Sequence, residues 1–204
     1  MPTSTFFNLP PPKKEKLLRA AMAEFARKPF NQVSINKIIQ AAEIPRGSFY
    51  QYFTGKDDLF RFILARYSQK LEATILVSLD HCGGDLLALP LALFDSILSC
   101  VQENLTGFQV FLDIVRQNAG MDASQLWDFM GIVQKALVQA DFSRLNVSGQ
   151  EEKIALLDLL FSSTGQALMA ASCGKLSLED SRKRLANKSK IIRRGAEIKE
   201  EPSC

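Results

Sequence analysis

The sequence predicts an all-α fold of about nine helices. Apolar residues recur at helical spacing along most of the 204 residues, whereas no segment alternates polar and apolar residues as a half-buried strand would. Hydrophobic residues make up 47% of the chain and charged residues 23%, which is the balance of an ordinary globular protein. Disorder is therefore expected only near the two ends.

The first predicted elements are short. Residues 1–12 contain three consecutive prolines and are expected to form a flexible arm. A helix is predicted from Lys13 to the stop at Pro29, and its apolar stripe consists of Leu17, Leu18, Ala21, Met22 and Phe25. Ser34 is a good N-cap for a second helix, whose buried face is Ile35, Ile38, Ile39 and Ala42. After the break at 43–45, a third short helix is expected to point Phe49 and Phe53 inward.

Longer helices are predicted for the rest of the chain. One covers about 57–79 and ends in a loop at 81–84, and others lie near 86–103, 107–118, 123–140, 150–173 and 177–193. Pro90 either kinks or starts the first helix after the loop. The charged segment 194–204 is expected to fray. Between arm and tail, the sequence thus predicts two domains, 13–56 and 57–193.

Positive charge is concentrated at the N-terminal end. Residues 1–57 hold nine Lys and Arg against four acidic residues, whereas the remainder holds 16 basic and 18 acidic residues. A basic domain of this kind is typical of a protein that binds a polyanion, because phosphate contacts supply most of the non-specific affinity for nucleic acid. Chance clustering is the alternative interpretation.

The cysteines and the apolar segments give no sign of a metal site, a cofactor or a membrane anchor. The four cysteines, at 82, 100, 173 and 204, are too scattered for a disulfide scaffold or a CxxC metal site. The first 16 residues contain no apolar export segment, so we expect a reduced, cytoplasmic protein. Segment 154–173 is long enough to cross a bilayer, but Asp158 and several hydroxyl side chains favour a buried helix.

Segment 34–53 predicts a helix-turn-helix. Two short helices are joined by a tight turn, and the second, which starts with Pro45, would lie in the major groove of double-stranded DNA. Arg46 can donate to a phosphate or to guanine, Gly47 allows close approach of the backbone, and Gln51 can pair with adenine. Further hydrogen-bonding groups on the same faces are Ser48, Tyr50 and Tyr52. The alternative is that the tyrosines are core or rim aromatics and that Arg46 and Lys56 are ordinary solvated charges.

These residues resemble the DNA-binding domain of the TetR family of repressors. The matching positions are Ser34, the turn Ala42-Glu43-Ile44, the run from Pro45 to Phe53, and Lys56, and the likeness covers about a quarter of the chain. Glu43 stands where the family usually has glycine, and Lys28-Pro29 where a Gly-aromatic pair is common. The resemblance implies that Ser34 and Lys56 hold phosphates and that DNA is contacted by Arg46, Ser48, Tyr50, Gln51 and Tyr52.

The resemblance also implies a function: a transcriptional regulator, by family habit a repressor, that a small-molecule effector releases from its operator. It implies a homodimer in which the last two helices of each subunit form a four-helix bundle. The DNA-binding domains of the two subunits, about 34–36 Å apart, then contact the two halves of a palindromic site. Candidate interface residues are Leu157, Phe161, Gly165 and Leu168, and candidate pocket residues are Phe111, Arg116, Trp127 and Met130.

Two other classes of protein are alternatives. An enzyme could use His81, the single histidine, beside Cys82, but two adjacent residues in a loop lack the fixed geometry of a nucleophile and its base. We therefore expect no catalytic activity. A helical adaptor that binds protein in place of DNA is the second alternative, and a steep salt dependence of DNA binding would distinguish the two.

Overall fold

The computed structural model describes residues 1–102, 108–118 and 129–198, and side chains within them except those of residues 102, 108, 129 and 130. Over these ranges the chain forms ten α-helices and one 3-10 turn, and no strand is present in them. The described residues divide into two compact units. The first comprises 1–70 and 108–118, and the second comprises 71–102 and 129–198.

The first unit contains the short helices near the N-terminus. They are α1 (Ser4–Phe7), α2 (Pro11–Arg27), the 3-10 turn Phe30–Gln32, α3 (Ile35–Ala42) and α4 (Arg46–Tyr52). The unit also includes α7 (Phe108–Gln117) and the beginning of α5, a helix that runs from Lys56 to His81. The predicted stripe of α2 is buried at Leu17, Leu18, Ala21 and Phe25, and α2 packs against both α3 and α7. The periodicity of the sequence therefore identified the core face of α2.

The second unit contains the remaining helices. They are the end of α5, α6 (Leu89–Gln102), α8 (Phe129–Gln139), α9 (Gly149–Ser172) and α10 (Leu178–Ala196). Pro90 is the second residue of α6, where no intrahelical partner is needed for its missing N–H, so Pro90 starts this helix and does not kink it. Helix α9 packs against α6, α8 and α10. Arg182 of α10 adds a bidentate pair to Asp95 of α6, with both N–H···O distances at 2.8 Å.

The structure differs from the prediction at both ends of the chain. Residues 1–12 were expected to form a flexible arm, but 4–7 are helical, Phe6 is fully buried, and α2 already begins at Pro11. The physical reason is that the buried Phe6 anchors this segment, whereas the prediction of a flexible arm rested on the three prolines alone. Residues 194–196 were expected to fray but continue α10, and the N–H of Ile198 donates to the carbonyl of Arg144 at 3.0 Å. The rest of the tail, 199–204, lies outside the described residues.

Among the described helices, α9 alone is long and apolar enough to cross a membrane, with a mean hydropathy of 1.4 over 18 residues. Leu156, Leu157, Leu160 and Leu168 of this helix are nevertheless buried against other parts of the chain. Thr164 is also buried, and its hydroxyl donates to the carbonyl of Leu160 at 2.8 Å. A core helix of a helical protein has the same length and composition, and this packing favours that interpretation.

Candidate nucleic-acid interface

Helix α3 begins at the predicted N-cap. Ser34 has extended backbone angles, and its hydroxyl makes no capping hydrogen bond to the helix. Ile38, Ile39 and Ala42 are buried on one side of α3. The opposite side is exposed and polar at Asn36, Lys37 and Gln40. Lys37 is therefore an exposed cation in the first turn of α3.

The turn between α3 and α4 is closed by a left-handed residue. Glu43 has φ 53° and ψ 46°, and among the described residues it is the one non-glycine with positive φ. The N–H of Ile44 donates to the carbonyl of Ile39, and that of Glu43 to the carbonyl of Gln40, both at 3.1 Å. This pattern is the Schellman motif, which normally places glycine at this position. The turn therefore has a positive φ although a glutamate and not a glycine stands there.

Helix α4 is anchored by two phenylalanines. Phe49 and Phe53 are both fully buried, with ring centroids 6.0 Å apart. Because these side chains point inward, the other faces of the seven-residue helix turn outward. Arg46, Gly47 and Gln51 are exposed, and Tyr50 is 48% exposed. Tyr50 is thus not a core aromatic.

Two further residues of α4 are only partly accessible. Ser48 and Tyr52 are half-buried, and the ring of Tyr52 lies 6.5 Å from that of the buried Phe6. A Cβ at Gly47 would meet no atom of the chain within 4 Å, so packing within the chain does not require a glycine there. The surface of α4 is therefore formed mainly by Arg46, Tyr50 and Gln51, around a backbone that another molecule can approach.

Lys56 has a different environment from the one that the sequence suggested. Its ammonium donates to the carbonyls of Phe30, Asn31 and Val33, at 2.9, 3.2 and 3.4 Å, and lies 4.8 Å from the centroid of the Phe30 ring. An ammonium has three N–H donors, so all three have carbonyl acceptors. In this arrangement Lys56 joins the start of α5 to the segment before α3 and has no donor left for a phosphate.

Lys37 was missed by the sequence reasoning. It is exposed in the first turn of α3, three residues after Ser34, and no ion pair within 4 Å is found for it among the described residues. The signal that could have identified it is its position opposite Ile38 and Ile39 in the helical period. Lys16, by contrast, pairs with Glu43, and this hydrogen bond with its charge lowers the pKa of the Glu43 carboxyl.

The structure describes the side chains of two of the four candidate pocket residues, Phe111 and Arg116. Phe111 is buried and stacks on Tyr67, with centroids 5.1 Å apart. Arg116 is 42% exposed and pairs with Asp113 at 3.0 Å. Trp127 lies outside the described residues, and so does the side chain of Met130 on α8. The pocket therefore stays a prediction.

Two of the four candidate dimer residues need correction. Leu157 and Leu168 are buried within their own chain, so they are not available to a partner. Their side of α9 faces the core because α6, α8 and α10 pack against it. Phe161 and Gly165 are half-exposed, and their place in an interface stays a prediction. The sequence showed that α9 is apolar on more than one side but could not show which side each residue occupies.

The comparisons with known proteins point to one family. Residues 17–63 match the sequence model described as bacterial regulatory proteins, tetR family. The transcriptional regulator AcuR of Cereibacter sphaeroides is 34% identical over 53 residues, which are 26% of this chain and 24% of that protein. The uncharacterized HTH-type transcriptional regulator YuxN of Bacillus subtilis is 25% identical over 164 residues, 79% of this chain and 55% of that protein. The matches thus span about a quarter and about half of these relatives' own length.

Solved structures agree with the fold of both units. E. coli NemR in its reduced form has a TM-score of 0.62 at 20% identity, covering 87% of this chain and 95% of that one. A putative tetR family regulator from Shewanella sp. PV-4 has a TM-score of 0.62 at 17% identity, covering 92% and 99%. At this level of identity the likeness establishes the fold alone. Residues 17–63, which contain the helix-turn-helix, thus resemble the tetR family of bacterial regulatory proteins.

Proposed function

We propose that the chain is a sequence-specific regulator of transcription whose helix α4 reads the major groove of double-stranded DNA. The observation that carries the proposal is the outward face of α4, where Arg46, Tyr50 and Gln51 are exposed while Phe49 and Phe53 anchor the helix from beneath. Arg46 is suited to a guanine edge or a phosphate and Gln51 to adenine. Gly47 lets the duplex approach the helix closely.

The phosphate contacts are proposed to come from the start of α3. The N–H groups of a helix N-terminus attract anions. Two further groups lie at that end of α3: the hydroxyl of Ser34, which makes no capping hydrogen bond, and the side chain of Lys37, which is exposed. Ser48 and Tyr52 contribute at the edge of the interface. Lys56 is proposed to hold the segment before α3 in place, with no direct contact to DNA.

The test is binding to duplexes selected by the protein from a random pool, measured over a range of salt concentrations. The wild-type affinity is expected to fall steeply with salt, with a slope of about −0.9 for each phosphate neutralised. Arg46→Ala should weaken binding, whereas Arg184→Ala, an exposed arginine on α10, should leave binding unchanged. Absent or salt-insensitive DNA binding would reject the proposal and favour a protein-binding adaptor.

We further propose a homodimer formed by the outer faces of α9 and α10. Leu159 of α9 is 49% exposed and Ile191 of α10 is 68% exposed, and Gly165 has open space around its Cα, which allows close approach of a second helix. The double variant Leu159→Glu/Ile191→Glu should shift the protein to monomer in sedimentation. Val138→Glu, at an exposed valine of α8, is the matched control. A dimer that withstands the double variant would exclude this face.

We also propose that the protein represses transcription and that a small molecule releases it from its operator. Because it must reach DNA, the proposed location is the cytoplasm. An effector that binds the DNA-free form better must lower the affinity for the operator, and DNA must lower the affinity for the effector by the same factor. Compounds that raise the melting temperature of the protein should therefore be tested for release of the selected duplex. A compound that binds the protein without changing its affinity for the duplex is not such an effector.

A further inference from the structure

The C-terminal end of α4 is held by a residue close to the N-terminus of the chain. The last carbonyls of a helix have no partners within the helix. Here the N–H of Thr3 donates to the carbonyl of Tyr52 at 3.0 Å, and the hydroxyl of Thr3 donates to the carbonyl of Gln51 at 2.5 Å. Two of the terminal carbonyls of α4 are thus satisfied by one residue that lies 48 positions or more before them.

Phe6 packs under the same end of α4. Its side chain is fully buried, with its ring centroid 4.8 Å from that of Phe53 and 5.2 Å from that of Phe62. Phe53 directly follows α4 and is one of its two anchors. Removal of the Phe6 ring would therefore leave a void beside the residue that fixes the end of the helix.

The segment from Thr3 to Leu9, which we call the clasp, is itself tied to α2. The ammonium of Lys14 donates to the carbonyl of Phe7 at 2.9 Å and lies 5.7 Å from the centroid of the Phe6 ring. Three prolines restrict the backbone at this junction: Pro10 precedes α2, and Pro11 and Pro12 are its first two residues. The clasp thereby links the beginning of α2 to the end of α4.

We propose that the clasp is a positioning element of the DNA-reading helix, with Thr3 and Phe6 as its positioning residues. The inference rests on the proposed function. A helix of seven residues is too short to be stable alone, so contacts at its ends determine how Tyr50 and Gln51 are presented. Without the clasp, the last turn of α4 loses two carbonyl partners and the support of Phe53. Base recognition through Gln51 then weakens, whereas phosphate contacts at the start of α3 do not change.

The chain offers closely matched variants for the test. Thr3→Val keeps the shape and the backbone N–H but removes the hydroxyl, and Thr3→Ser restores the hydroxyl. Phe6→Ala removes the buried ring, Phe6→Leu retains much of its apolar volume, and Thr5→Ala alters an exposed residue of the same segment. Each variant is measured well below its own melting temperature against two duplexes, the one that wild type selects from a random pool and a scrambled one of equal length.

Phe6→Ala is expected to lose about tenfold in affinity for the selected duplex, which corresponds to the loss of one good base contact, and Thr3→Val to lose a few-fold. Both should bind the scrambled duplex as wild type does. Thr3→Ser and Thr5→Ala should bind like wild type, and Phe6→Leu should recover most of the loss. If Phe6→Ala does not fold, the comparison of Thr3→Val with Thr3→Ser decides.

Two results would overturn the inference. One is wild-type affinity of both Thr3→Val and Phe6→Ala for the selected duplex. The other is an equal loss on both duplexes by folded variants, because the clasp would then act on general binding and not on base recognition. Failure of the wild-type protein to bind any duplex would instead reject the proposed function, so the two failures are distinguishable.

Discussion

The side chain of Asn118, just after α7, accepts a hydrogen bond from the backbone N–H of Phe30 at 2.8 Å. Its amide N–H donates to the carbonyl of Ile114, also at 2.8 Å, and the residue is buried. The carbonyl of Phe30 in turn accepts from Lys56. One turn of backbone, at the 3-10 element before α3, is therefore held by side chains from α5 and from the end of α7.

Asn118→Ala is expected to destabilise the protein, because it leaves the N–H of Phe30 without its acceptor. An unsatisfied polar group in a protein interior costs about 1–3 kcal/mol, and the partly buried position of this bond favours the lower end. The free energy of unfolding from denaturant titration measures the effect. Asn187→Ala, at an exposed asparagine of α10, is the control. Equal stabilities of the two variants would show that the Asn118 bond contributes nothing.

The role of Lys56 can be separated from that of a phosphate contact. Lys56→Met should lower the melting temperature, since three carbonyls lose their donor. The salt dependence of DNA binding should remain that of wild type. Lys37→Met should leave the stability unchanged. It should instead reduce the slope in a plot of log affinity against log salt by about 0.9. A reduced slope for Lys56→Met would instead support the phosphate contact that the sequence suggested.

Glu43→Gly is expected to stabilise the turn between α3 and α4. Glycine adopts the left-handed conformation without the steric cost that a side chain brings, and the exposed pair with Lys16 contributes little. We expect the melting temperature to rise by about 2–4 °C. Glu43→Ala removes the same carboxylate but keeps Cβ, so it should give no such gain. A gain with alanine as large as with glycine would contradict the backbone explanation.

Ser177→Ala should weaken the start of α10. The Ser177 hydroxyl accepts from the N–H of Asp180 at 3.0 Å, which is a standard N-cap bond, and loss of such a cap costs about 1 kcal/mol. Ser148→Ala is a useful comparison, because the Ser148 side chain makes no capping bond to the N–H groups of α9. Unfolding in denaturant should therefore shift more for Ser177→Ala than for Ser148→Ala.

Several features of the helix-turn-helix could be predicted from the sequence because they depend on residues close together in the chain. The spacing of Phe49 and Phe53 by one helical turn determines that both point inward, and the faces that remain must turn outward. Pro29 and Pro45 mark helix boundaries through their fixed φ and missing N–H. Helical periodicity is also local, and the bounds of α6, α7, α9 and α10 agree with the predicted ranges to within a few residues.

The tertiary structure decided the features that join distant parts of the chain. The Thr3 bonds to α4 span 48 and 49 positions, the Lys56 bonds before α3 span 23 to 26, and the Asn118 bond to Phe30 spans 88. Leu157 and Leu168 likewise became core residues only when neighbouring helices covered their side of α9. Helical periodicity depends on the nearest residues and is written in any short window of sequence. The partner of a particular side chain depends on how whole helices pack, and that is settled only when the chain has folded.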